Sequence, residues 1–267
     1  METFRLYGKF IKVFLKCKME YRFSFFLSIF LQITTYASLF FSLWILVDKF
    51  QNIAGWNFYE LMYLYTLNLF TYAMAGMFVK HPMLDLEGMI QKGEFDGFLT
   101  KPLNPLLHII IRQFEYTFSG HIFLCIVTFN ISIQHLGIIW DWKKILFFII
   151  NTISGIVIQA AFMILAGSSS FFFVKSRTFV ELGIYDLREY INYPLSIYQK
   201  GFQFVFTFII PYGFVNFYPA EYILGKIVGQ SDKMWFLFMG PVISFIFISL
   251  ALLTWSWGIK HYKSTGN

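Results

Sequence analysis

Along the chain, apolar residues gather into long runs, and most of the charge sits in the short stretches between them. Six runs read as membrane crossings: residues 23–47, 58–79, 114–134, 145–174, 202–217 and 235–258. A crossing needs about 20 mainly apolar residues. The pattern therefore predicts an all-α integral membrane protein with six transmembrane helices. The fourth run is longer than a bilayer requires, so it should tilt or project beyond it. The fifth is short and carries Pro211, which frees a backbone carbonyl that protein or water must satisfy. A span that enters part-way, or one followed by a re-entrant segment at residues 218–234, fits that run.

Residues 1–22 follow another period. Phe4, Tyr7, Phe10, Ile11 and Phe14 recur at three- and four-residue spacing, with Arg5, Lys9, Lys12 and Lys16 as a second stripe. Such a helix suits the membrane interface, lying against anionic lipid. It can serve as a topology anchor, as a mechanical element, or as both. The first apolar run follows it without a small-residue cleavage pattern, so the run is expected to stay as a helix rather than be removed as a signal peptide.

Orientation follows from Lys and Arg. Sixteen fall on one side of the predicted spans: Arg5, Lys9, Lys12, Lys16, Lys18, Arg22, Lys80, Lys92, Lys101, Arg112, Lys175, Arg177, Arg188, Lys200, Lys260 and Lys263. Five fall on the other: Lys49, Lys143, Lys144, Lys226 and Lys233. The positive-inside rule then puts both termini in the cytoplasm, with cytoplasmic segments at 80–112, 175–201 and 259–267 flanking a membrane domain at 23–258. Trp44, Trp56, Trp140, Trp142 and Trp235 fall near the predicted outer interface, and Trp255 and Trp257 near the inner one.

Composition excludes the soluble classes. Of 267 residues 57% are hydrophobic and 13% charged, and the mean hydropathy is +0.60. A soluble domain carries about a quarter charged residues. The net charge of +6 would suggest nucleic acid in a soluble chain. Here topology accounts for the basic residues, and no nucleic-acid partner is expected.

The chemistry of a self-contained pump or enzyme is missing. No GxxxxGK[ST] loop occurs; Gly8-Lys9 and Gly225-Lys226 lack the rest of it. The histidines 81, 108, 121, 135 and 261 are scattered, and Cys17 and Cys125 can form neither a metal cluster nor an expected disulfide. No catalytic, metal or cofactor residue is therefore assigned. The spans hold no buried acids of the kind ion-coupled carriers use: Glu60 and Glu115 sit at span ends, and Arg112 and Glu115 should pair locally. His121 is the one ionisable residue deep in an apolar run. It reads as a neutral imidazole bonded across a helix interface or as a group lining a pathway. Gln32, Asn68, Asn151, Gln159 and Gln203 can bond across helices or to cargo, and the 36 phenylalanines can line a path or merely fill space.

The most informative stretch lies between the second and third spans. Leu86, Met89 and Ile90 give a short helix face ending at Gly93; Phe95, Phe98 and Leu99 then offer apolar groups among Glu94, Asp96 and Lys101. Pro102 and Pro105 fix the return to the membrane. A short, stiff, amphipathic loop has the form of a docking element presenting apolar knobs to a partner's groove. It can equally pack on its own bundle.

Residues 93–105, Gly-Glu-Phe-Asp-Gly-Phe-Leu-Thr-Lys-Pro-Leu-Asn-Pro, resemble the GxhDxhLxKPhNP signature of ABC-2 type permeases. Gly55-Trp56 with Glu60-Leu61 opens the second span as in those proteins. Tyr193-Pro194-Leu195, Ile197-Tyr198, Ile210-Pro211, Tyr218-Pro219-Ala220 and Leu224-Gly225 are similar to the family's YPLxIY…IP…PAxxLLG ending. The resemblance implies an N-terminal interfacial helix, six spans, and an extracellular re-entrant segment carrying Pro211, Pro219, Ala220 and Gly225. It implies a coupling loop made of Glu94, Phe95, Asp96, Phe98, Leu99, Lys101, Pro102, Asn104 and Pro105. It also implies pairing with an identical or related permease and with two copies of a separate ATPase, which would bind the ATP and Mg that this chain has no loop for. The expected function is export of an amphipathic or hydrophobic compound such as a drug, lipid or peptide across the cytoplasmic (inner) membrane by alternating access. An ATP-independent carrier or channel is the alternative, and a membrane-embedded enzyme or cofactor scaffold a third class.

Overall fold

The computed structural model describes residues 2–226 and 234–263, which fold entirely as helices and turns apart from one isolated bridge between Ile53 and Trp56. Helix α1 (Glu2–Met19) precedes α2 (Arg22–Phe50). Lys9, Lys12 and Lys16 are exposed on α1, whereas Ile11, Phe14 and Leu15 are partly covered. The side chains of Phe4, Tyr7 and Phe10, which share in the amphipathic expectation, lie outside those described.

Helix α3 (Phe58–Gln91) is the axis of the molecule, with α6 (Phe118–Leu136) and α7 (Trp142–Ser168) packed on it. Its start is fixed by a capping box. Asn57 Oδ1 accepts from the Glu60 amide at 3.0 Å, and the Asn57 amide donates to Glu60 Oε2 at 2.8 Å. Its end comes at Gly93, whose φ of +71° no β-carbon-bearing residue adopts cheaply. At 1.5 Å per residue α3 is about 51 Å long and passes well beyond a hydrocarbon core of about 30 Å. The run read as 58–79 thus continues to Gln91.

Helices α2, α6, α7 with its short 3₁₀ extension to Phe171, and α13 (Gly240–His261) are long and apolar enough to cross a membrane. Helix α3 is more polar and nearly encased by its neighbours, so protein rather than lipid meets most of its side chains. Helix α2 lies at the other extreme: only 11% of its most apolar window is buried. It crosses α6 closely at Gly120, where an added Cβ would stand 2.9 Å from the Ile29 carbonyl oxygen.

The fifth predicted run does not form one helix. Residues 202–217 divide into α10 (Lys200–Phe204), a π-helical turn (Val205–Ile209), a break at Ile210-Pro211, a 3₁₀ turn (Tyr212–Phe214) and the start of α11 (Phe217–Ile223). Pro211 contributes no N–H, and Ile210 takes φ −118° and ψ 81°, so the helical bonding stops there. The long helical course lies earlier, in the stretch read as a cytoplasmic loop. Helix α8 (Arg177–Glu181), a π turn (Leu182–Asp186), α9 (Leu187–Glu189) and a 3₁₀ turn (Tyr190–Asn192) follow one another without interruption. This course enters the bundle, burying Val180, Ile184, Arg188 and Ile191. Arg188, counted above as a loop residue, is therefore an interior one. Helix α12 (Met234–Leu237) leads into α13. Residues 227–233 of the expected re-entrant segment and 264–267 of the tail lie outside the described residues.

Candidate functional site

The signature loop follows directly from the end of α3. Gly93 turns the chain, α4 (Asp96–Leu99) makes one helical turn, and α5 (Pro105–Arg112) leads back. Asn104 caps α5 by accepting from the Leu107 amide at 3.2 Å, with Pro105 at the first position, where its missing N–H costs nothing. The Lys-Pro-Leu-Asn-Pro sequence is thus a helix start.

The loop's aromatic residues point inward, contrary to the expectation that they form exposed knobs. Phe95 is fully buried and Phe98 nearly so. The Phe95 ring lies 5.3 Å from Phe171, 5.0 Å from Tyr262 and 6.3 Å from Trp255, so it plugs the seam between the end of α7 and the end of α13. Phe98 stacks edge-on with His108 at 4.9 Å, and the Arg112 guanidinium lies 5.8 Å from its ring centre. Burial, together with the cations Lys101 and Arg112, lowers the pKa of His108. Asp96 is also committed inward, accepting from the Tyr262 hydroxyl at 2.9 Å. What faces outward is Glu94, Leu99, Lys101, Pro102, Leu103 and Leu107. Inner anchors and an outer face share the fourteen residues 94–107.

Two further clamps hold the same end of the bundle. Glu87 of α3 accepts from the amides of Ser176 and Arg177, both at 2.6 Å, and from the Ser176 hydroxyl at 2.9 Å. Burial acts to raise its pKa, but these hydrogen bonds outweigh it and leave the carboxyl below the usual range. They also cap the entrance of α8. Glu115 does not pair with Arg112 as expected. It meets His81 Nε2 at 2.5 Å and accepts from the Thr117 hydroxyl at 2.6 Å. Burial opposes ionisation, yet those bonds hold its pKa down to about 2.

The other motifs are structural. Trp56 is buried, Gly55 takes φ +78°, and Lys226 reaches back to Glu60 Oε2 at 2.8 Å and the Gly55 carbonyl at 2.9 Å. Tyr198 donates to the Tyr190 carbonyl at 2.8 Å, and Thr207 and Tyr218 share a hydroxyl bond at 2.7 Å. Pro219 and Ala220 are buried in α11, and Gly225 ends it at φ +67°. Of the amides, Gln159 donates to Asn68 and Asn68 to Asn192, tying α7, α3 and the 177–192 course together. Asn151 and Gln203 bond locally, to the Phe147 and Tyr198 carbonyls, and Gln32 lines an open groove.

His121 is buried, with the Thr117 carbonyl in reach of its ring, and packs by ring contact on Tyr36 at 4.2 Å and Phe118 at 4.9 Å. Sequence reasoning missed Arg188 as an interior group. Its guanidinium sits 3.9 Å from the centre of the Tyr72 ring. Among the described residues, no three of His, Cys, Asp and Glu gather to hold a metal ion.

Comparison with known proteins matches residues 33–266 to the family model described as ABC-2 family transporter protein. No curated protein and no solved structure matches. The matched stretch runs from within α2 past the end of α13 and includes the signature loop, its anchors and the interior around Arg188. The chain belongs to the ABC-2 family of transporter proteins, as a transmembrane permease subunit.

Proposed function

We propose that this permease exports an amphipathic or hydrophobic compound, working as one of two permease protomers, identical or related, above two copies of a separate ATPase. The observation that carries this reading is the division of the signature loop. Phe95 and Asp96 lock it to the ends of α7 and α13 and Phe98 packs it on α5, while Leu99, Lys101, Leu103 and Leu107 remain outside. A loop rigidly joined to two membrane helices can transmit a push received on its outer face. ATP closing the ATPase pair would move that face, and the helices joined to Phe95 would follow.

In this reading α2, α3, α6, α7, the course from 177 onward and α13 are the six crossings. The broken pieces after Asn192 form the re-entrant part on the outer side, and both termini lie in the cytoplasm. The basic bias supports that orientation with Arg188 set aside and Lys200 moved to the outer side. The test is purification of the full chain from its native membranes. A soluble subunit with a GxxxxGK[ST] loop should accompany it in equal amount and hydrolyse ATP. A chain that transports in vesicles with no such companion would overturn the proposal.

A further inference from the structure

Between α2, α3, α6 and the 177–192 course lies a cluster of buried donors that the fold leaves without acceptors. Arg188 is 4% exposed, yet its Nε and Nη1 have no hydrogen-bond partner. The same holds for the hydroxyls of Tyr65 and Tyr72. His121 is buried beside them, with the Thr117 carbonyl in reach of its ring. These groups adjoin one another. The guanidinium lies on Tyr72 at 3.9 Å and near Tyr36 at 5.9 Å, and Tyr36 touches His121. Tyr65 and His121 are within electrostatic reach of Arg188.

A ring face attracts the guanidinium charge but accepts none of its in-plane N–H groups. A buried cation normally carries a counter-ion. No acid on the surrounding helices is hydrogen-bonded or ion-paired to it: Glu189 acts on the guanidinium only at a distance, and Glu181 pairs with Arg177. Glu60 is bound to Lys226, Asp85 accepts from Gln113, and Glu87 and Glu115 hold the partners described above. Asp48, Asp186 and Glu189 are exposed. Helix α6 contains no acid.

A polar groove of about 480 Å³ runs beside this cluster, lined by Gln32, Thr35, Lys80, His81, Glu115 and Thr117 among others. Thr35 precedes Tyr36, and Thr117 lies one helical turn before His121, so the groove and the donor cluster draw on the same stretches of chain. Beside it α2 exposes Phe23, Phe26, Phe30 and Leu31, a surface suited to an alkyl tail.

We propose that Arg188, with Tyr65, Tyr72 and His121, receives the anionic headgroup of an amphipathic cargo that arrives along this groove. The word cargo rests on the permease reading; the binding site does not. Carboxylate and phosphate both supply the several acceptor oxygens that such a donor set requires.

The test uses the full chain in phosphatidylcholine nanodiscs, without ATPase. A fluorescent-tailed alkyl phosphate and the alcohol with the same tail are titrated, with empty nanodiscs subtracted. The phosphate should bind saturably and at least tenfold more tightly than the alcohol. Arg188→Gln should abolish that preference, Arg188→Lys should retain part of it, and Tyr65→Phe/Tyr72→Phe, which keeps both rings, should weaken it several-fold. Equal binding of phosphate and alcohol would overturn the proposal, as would a folded Arg188→Gln chain that keeps the preference. If Arg188→Gln does not fold, the tyrosine pair decides, and an undiminished preference there refutes the site. Inorganic phosphate competing at the same concentration as the alkyl phosphate would refute an amphipathic ligand. Because no ATPase is present, failure here leaves the permease reading intact, and loss of the ATPase companion would leave this site intact.

Discussion

Tyr262, just past the end of α13, donates its hydroxyl to Asp96 of the signature loop at 2.9 Å, closing a contact across 166 residues of sequence. The same tyrosine ring covers Phe95 at 5.0 Å. The last helix and the loop are thus joined by a hydrogen bond and a ring contact. Tyr262→Phe keeps the ring and removes the bond, so it should lower stability by about 1.5–3 kcal/mol, the net worth of a hydrogen bond to a charged group. Thermal unfolding in detergent would read this, and a destabilisation several times larger would mean that the hydroxyl does more than bond Asp96.

Phe95→Ala and Phe98→Ala should behave as core truncations. Each is expected to cost about 3–5 kcal/mol, because a buried ring leaves a cavity its neighbours fill only in part. Leu99→Ala is 38% exposed at its site and should leave unfolding almost unchanged. Unfolding curves that rank Leu99→Ala with the phenylalanines would contradict the inward placement of the rings.

The arrangement at Glu115 has a pH signature. Its folded pKa of about 2 lies below the unfolded carboxyl range near 4.3, so its stabilising contribution is complete above about pH 4.3. It is lost as pH falls from there toward 2. The stability gap between the native chain and Glu115→Gln should therefore narrow over that window, and a gap independent of pH would show that Glu115 is not held ionised by His81 and Thr117.

Much of the architecture was legible in the sequence where lipid is the solvent. Helices α2, α6, α7 and α13 face an apolar surround along most of their length, so hydropathy marks them within a few residues. The course at 177–192 escaped because Arg177, Glu181, Asp186, Arg188 and Glu189 depress its hydropathy. Such residues are tolerable there because protein, exposed ends and the Tyr72 ring surround them. The opposite error came at 202–217, where apolar composition could not register that Pro211 and a π turn interrupt the helix. In the signature loop, residue types identified the element but not its facing. Phe95 precedes and Phe98 lies on a helix of four residues, too short for periodicity to distinguish an anchor from a knob. The ends of α7 and α13, distant in sequence, draw Phe95 inward, and α5 covers Phe98.

Topology can be read with single cysteines in a Cys17→Ser background, since Cys17 is exposed and Cys125 buried. Asn52 and Lys92 are both exposed. Asn52→Cys should react with an impermeant maleimide on intact cells, and Lys92→Cys only after the membrane is opened. The reverse pattern would invert the assigned orientation.

The most direct test of the account is whether the outer face of the signature loop carries the ATPase while the inner face carries the fold. Co-purification of the ATPase subunit should be compared between the native chain and Leu99→Ser/Leu103→Ser, with unfolding followed on the same preparations. The variant should keep the native unfolding midpoint and its pairing with a second permease but lose the ATPase and ATP-dependent transport. Full retention of the ATPase and of transport by a chain lacking those two leucines would contradict the account.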